Sequence, residues 1–203
     1  METLLFSLYE LMTELIPFLL AFCLIRRKGQ RNRFSGADVL LFLFAFYVMA
    51  VFRVTGAGTI YEAGRLRPEY IWKRINLIPF SNRIDMIGYL LNVAMLVPFG
   101  LLTPLIFCGM DRGGRVTLGG FLFSLLIELS QILSSRGTDV DDLIMNTIGA
   151  AVGYGLYCLW RGIVKTGKAL YALSALPVCV LAMYFGRCLL YNYLGLIHLV
   201  YGI

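Results

Sequence analysis

The sequence predicts an all-α polytopic membrane protein, a helical bundle of about six transmembrane spans. Composition is the first reason. Of 203 residues, 59% are hydrophobic and only 15% charged, whereas a soluble domain averages about 45–50% apolar and about 25% charged. Distribution is the second. The apolar surplus falls in long runs, and about 18 or more such residues suffice to cross a bilayer. Apolar residues also surround these segments, where a soluble amphipathic helix would show a single stripe. The third is punctuation: Arg26, Arg27, Lys28, Arg31 and Arg33 crowd one short loop between two such runs.

The first expected span, Thr3–Ile25, is imperfect, because Glu10, Glu14 and Pro17 interrupt it. The second, Ala37–Val54, is almost entirely Leu, Phe, Val, Ala and Met, and the stretch from Thr55 to Arg83 is too charged to cross. Further spans are expected at Asp85–Phe107, Arg115–Leu133, Asp142–Trp160 and Lys168–Phe185. The tail from Arg187 to Ile203 carries Tyr191, Tyr193 and Tyr201. Such aromatic hydroxyls suit an interfacial helix, with a seventh crossing as the alternative. Met1 to Ser7 hold Glu2 and no basic residue, so no cleavable signal peptide is expected. The cysteines at 23, 108, 158, 179 and 188 form no C-x-x-C pair, which argues for packing and against a metal knuckle or redox motif.

Basic residues set the expected orientation, since cytoplasmic loops are enriched in Lys and Arg. With the 26–33 loop inside, the amino terminus lies outside. Ten of the 18 lysines and arginines are then inside and eight outside. The outer set includes Arg53, Arg65, Arg67, Lys73, Arg74 and Arg83, partly offset by Glu62 and Glu69. The net charge of +6 is explained by such loops, and no nucleic-acid partner is expected.

Polar residues gather in four places. Arg74, Asn76, Pro79, Phe80, Asn82 and Arg83 form a break before the third span, where Pro79 removes a backbone donor. Asp85, Gly88 and Asn92 share one helix face, and Pro98 is expected to kink or locally unwind the helix beyond it. Glu128 and Gln131, three apart, point together near the end of the fourth span. An ionisable residue in an apolar span is a candidate for function by default, with a structural pairing of Glu128 to one of the outer arginines as the alternative. The fourth place is Arg136, Asp139, Asp141, Asp142 and Asn146. Asp139 and Asp142 suit an N-cap and a first helical turn. Asp142, Asn146, Gly149 and Gly153 form a polar-then-small stripe whose G-x-x-x-G end permits close helix approach. In the expected topology all four clusters face the same side. The candidate pocket is therefore Asn76, Asn92, Glu128, Gln131, Arg136, Asp139, Asp142 and Asn146, with Arg136 folding back over the acids and no metal or cofactor expected.

The ordered set Asn76-x-x-Pro79-Phe80, Asn92 with Pro98-x-Gly100, Glu128-x-x-Gln131, and Arg136-x-x-Asp139-x-x-Asp142-x-x-x-Asn146-x-x-Gly149 resembles the VanZ-like family. That family is named for an accessory membrane protein of glycopeptide-antibiotic resistance. The resemblance covers roughly residues 40–160. It implies a small protein of the bacterial plasma membrane, with some members raising tolerance to teicoplanin-type lipoglycopeptides, and it supplies no catalytic mechanism. The chain then divides into 1–35, the first span and basic loop; 36–161, a four-span core of the VanZ-like kind; and 162–203, the sixth span and aromatic tail.

Three functions are open at this point. The first is a non-enzymatic envelope protein whose partners are membrane lipids and a lipid-linked cell-wall precursor or a lipoglycopeptide. There Arg74, Arg83 and Arg136 would meet phosphate or carboxylate. The second is a membrane-embedded hydrolase or transferase acting on a lipid or isoprenoid phosphate, with Glu128, Asp139 and Asp142 as acid–base groups or Mg²⁺ ligands. The single histidine, His198, argues against phosphohistidine chemistry or a multi-His zinc site, and there is no G-x-S-x-G elbow. The third is a transporter or regulatory subunit in which Glu10, Glu14 and Glu128 carry protons, although no inverted repeat is visible.

Overall fold

A computed structural model describes residues 2–29, 33–66, 74–81, 85–134, 136–163, 169, 171–193, 195 and 197. The elements in chain order are α1 (Glu2–Lys28), α2 (Gly36–Thr55), α3 (Ile60–Ala63), β1 (Ile75–Asn76), α4 (Met86–Ile106), α5 (Gly113–Gln131), β2 (Thr138–Asp139), α6 (Val140–Ile163) and α7 (Ala175–Leu190). The molecule is an all-α helical bundle. The stretches Leu5–Lys28, Gly36–Ala63, Met86–Ile106 and Val140–Ile163 are long and apolar enough to cross a membrane. The other two expected spans are also helical. α5 has 19 residues but is diluted by glycines and by Arg115, Glu128 and Gln131. α7 has 16 residues, roughly 24 Å of rise against a hydrocarbon core of about 30 Å.

Local chemistry starts and stops these helices. Ser35 caps α2 in a box with Asp38, the Ser35 N–H donating to Asp38 Oδ2 at 2.6 Å. α2 ends where Gly56 turns left-handed at φ 64°, a conformation that only glycine adopts without cost. Asp85 caps α4 by accepting from the Ile87 N–H. α4 then continues as one helix through Pro98 and Pro104.

The tightest packing joins α4, α5 and α6. A Cβ on Gly149 would stand 2.1 Å from the Val93 carbonyl oxygen, one on Gly153 2.1 Å from that of Val97, and one on Gly100 2.0 Å from that of Ala150. These backbones therefore touch directly, with glycine obligatory on both sides. On α5, a Cβ on Gly120 would stand 2.3 Å from the Cβ of Ala150, so there the α6 methyl seats against bare α5 backbone. Phe44, Phe52, Phe99 and Phe123 fill the space toward α2, with Phe99 and Phe123 stacked at 5.4 Å.

α1 packs mainly on α7. The expected sixth span, Lys168–Phe185, is shifted: its helix runs from Ala175 to Leu190, and Lys168 lies outside the described residues. Arg187 belongs to this helix and not to a tail. It is buried because its guanidinium donates to Glu10 Oε1 at 2.7 Å, to Glu14 Oε1 at 2.8 Å and to the Ala57 carbonyl at 2.8 Å. Tyr191 ends α7, whereas His198 and Tyr201 lie outside the described residues.

Candidate functional site

Successive helices alternate in direction, so the 54–66 turn, the 74–81 segment, the end of α5 and the start of α6 share one end of the bundle. Two short strands stitch them together. β1 pairs in parallel with β2, Ile75 opposite Thr138 and Asn76 opposite Asp139. The Thr138 N–H donates to the Arg74 carbonyl at 3.1 Å and its hydroxyl to the Glu128 carbonyl at 3.1 Å.

Around this ladder the acids are organised by neutral donors. Asn76 Nδ2 donates to both oxygens of Asp139 at 3.2 Å, and Asn76 Oδ1 accepts from the Ile78 N–H and the Ser81 hydroxyl. Asp139 Oδ1 also accepts the Asp141 N–H at 2.9 Å, so Asp139 opens α6 as its cap. Asn92 Nδ2 on α4 donates to Asp142 Oδ1 on α6 at 2.5 Å. Glu128, only 4% exposed, accepts the Asp139 N–H on Oε2 at 3.1 Å and lies within electrostatic reach of Asp139 and Asp142. Among the described residues no salt bridge reaches Glu128, Asp141 or Asp142. Glu128 Oε1 and Asp142 Oδ2 have no protein donor among those residues.

Asn146 lies one turn deeper, on the same face as Asp142. Its Nδ2 donates to the Ser124 hydroxyl on α5 at 3.0 Å, and its Oδ1 is buried without a partner. Ser124 is one turn below Glu128, so two helices present matched polar faces.

Two predicted residues face elsewhere. Gln131 turns from Glu128 and donates to the Thr55 carbonyl at 3.0 Å. Arg136 does not fold over the acids: it donates to the Val54 carbonyl at 3.1 Å and packs against Gly56. Both residues satisfy the end of α2, where carbonyls lack helical partners and the dipole favours a cation. Asn82 and Arg83 lie outside the described residues.

Two site residues are absent from the expected pocket: Asp141, which belongs to the fourth polar place, and Tyr89, which belongs to none. Asp141 is 2% exposed. Its Oδ2 accepts the Tyr89 hydroxyl at 2.6 Å and its Oδ1 the Phe80 N–H at 2.8 Å. Phe80 itself has φ 54°, a strained setting for a non-glycine residue, held by that bond. A signal existed: Tyr89 lies three residues before Asn92, on the helix face already singled out.

A family model described as VanZ/LLP1 matches residues 39–161, from α2 to the end of α6. Among curated proteins, one called "Protein VanZ" from Enterococcus faecium is 33% identical over 94 residues, covering 45% of this chain and 56% of that relative. The chain thus spans little more than half of that relative's length. No solved structure matches. The match takes in every element that builds the Glu128 end of α4, α5 and α6, and covers more than half of the chain: this membrane protein belongs to the VanZ/LLP1 family.

Proposed function

We propose that the chain is a non-enzymatic binding protein of the bacterial plasma membrane, with the Glu128 end outward. It would lower sensitivity to teicoplanin-type lipoglycopeptides by engaging the drug or a lipid-linked cell-wall precursor. Family membership supports the envelope setting, and the resistance context comes from the resemblance. The observation that carries the reading is the fixing of the acids: both oxygens of Asp139 and of Asp141, and one each of Glu128 and Asp142, already accept protein N–H or O–H groups. A preorganised array of acceptors meets a ligand through its donors, and amide, hydroxyl and ammonium groups are what a glycopeptide or peptidoglycan precursor presents. Arginine recognition of phosphate has less support, because Arg136 is engaged by α2.

The test is expression in a susceptible Gram-positive host, reading inhibitory concentrations of teicoplanin and vancomycin beside a lipid-precursor analysis. The proposal expects raised teicoplanin tolerance with an unaltered set of precursors. A hydrolase or transferase acting on a lipid or isoprenoid phosphate is the second reading. It is favoured by the oxygens of Glu128 and Asp142 left without protein donors, which could move protons. A new or missing precursor species in that analysis would establish it instead.

A further inference from the structure

The bundle carries a second feature on another face of α5, with its mouth at the end of that helix opposite the acids. A groove of about 670 Å³ runs between α5 and α7, a size within the roughly 300–1,000 Å³ of small-molecule sites. Its floor and walls are apolar, formed by Phe99, Leu122, Phe123, Leu126, Val180 and Leu181. Only its mouth is polar, where Arg115 and Ser174 stand at the starts of the two helices. Along α5 the lining positions Arg115, Leu118, Leu122 and Leu126 recur on one face, over roughly 16 Å of helix rise. Gly119 also lines the groove, and a Cβ there would stand 3.0 Å from Met110 Cε. Leu118 and Leu122 are more than half exposed, so the groove opens sideways to the bundle's surroundings.

We propose that this groove is a binding site for one anionic phospholipid, with an acyl chain lying between α5 and α7 and the phosphate on Arg115. Charge complementarity selects that occupant. A purely apolar groove would take any lipid chain, but this one has a guanidinium at its open end and, among the described residues, no carboxylate in its lining. Guanidinium binds phosphate through paired N–H donors. Arg115 gives one of its donors to the Gly109 carbonyl at 2.9 Å, which fixes the side chain at the mouth. Basic residues at a membrane surface attract anionic lipid in general; the groove adds a seat for the chain, and with it selectivity. The site is separate from the acid cluster and does not depend on the function proposed for it.

The experiment is native mass spectrometry of the full chain in detergent, titrated with phosphatidylglycerol and phosphatidylcholine of identical acyl chains. The expected result is retention of one phosphatidylglycerol several-fold above phosphatidylcholine. Arg115→Gln should reduce phosphatidylglycerol to the phosphatidylcholine level, Arg115→Lys should keep part of the preference, and Leu122→Trp, which fills the groove, should reduce both lipids. Equal retention of the two lipids by the parent protein would overturn the proposal without recourse to any variant. So would a folded Leu122→Trp protein that retains phosphatidylglycerol unchanged. A polyprenyl phosphate that displaces phosphatidylglycerol at equal or lower concentration would overturn the phospholipid assignment.

Discussion

The Tyr89 hydroxyl donates to Asp141 Oδ2 at 2.6 Å, joining α4 to the first turn of α6 across 52 residues. With Phe80 N–H on the other oxygen, Asp141 holds the 74–81 segment against two helices. Tyr89→Phe and Asp141→Asn should therefore each reduce whatever activity the site has. The double variant should be little worse than the more damaging single one, because both remove one shared contact. Full additivity in a double-mutant cycle on drug tolerance would show that the two residues act independently.

Glycine contacts between α4 and α6 predict a stability effect. Gly149→Leu and Gly153→Leu each drive a side chain into a backbone carbonyl 2.1 Å from the new Cβ. Overpacking of this kind costs about 1–3 kcal/mol, occasionally more. Thermal unfolding in detergent should show both variants less stable than the parent. A parent-like, monodisperse Gly149→Leu protein would contradict the packing.

Arg187 predicts a second. It is 5% exposed and Glu14 1% exposed, so Arg187→Met alone leaves Glu14 buried without its cation, whereas Glu10 keeps Arg53 at 3.6 Å; losing one partner of such a buried pair costs about 3–5 kcal/mol. Adding Glu10→Gln and Glu14→Gln should restore much of the loss, since the uncompensated charges are then gone. Thermal unfolding of the single and triple variants checks this. No recovery in the triple variant would mean that the Ala57 contact, and not the charge balance, carries the effect.

Arg136 should behave as a cap. Arg136→Ala removes a donor and a cation from the end of α2, worth about 0.3–1 kcal/mol, and should leave ligand recognition intact once expression is matched. A loss of tolerance as large as that from Glu128→Gln, in equally abundant protein, would return Arg136 to the binding site.

What was legible in the sequence was local. Among the described residues each expected span is helical over most of its length, and the stripe from Asp142 through Asn146 to Gly149 and Gly153 lies on one face because a helix repeats on a fixed period. Partners across the bundle were not legible. Glu128 and Gln131 share a helical face by spacing, yet one bonds β2 and the other the end of α2. Charge logic likewise assigned Arg136 to the acids, whereas unsatisfied helix carbonyls took it. Arg187 was placed in an interfacial tail because nothing near it in sequence shows that Glu10 and Glu14 stand beside it.

The most direct test of the central claim, that the acid cluster at the Glu128 end confers tolerance by binding, is the teicoplanin inhibitory concentration of a susceptible host. The host would express the parent, Glu128→Gln or Asp142→Asn at matched membrane abundance. Parent protein should raise the value clearly above the empty-vector host, and both variants should return it to that level. Variants as protective as the parent, or a parent with no effect, would contradict it.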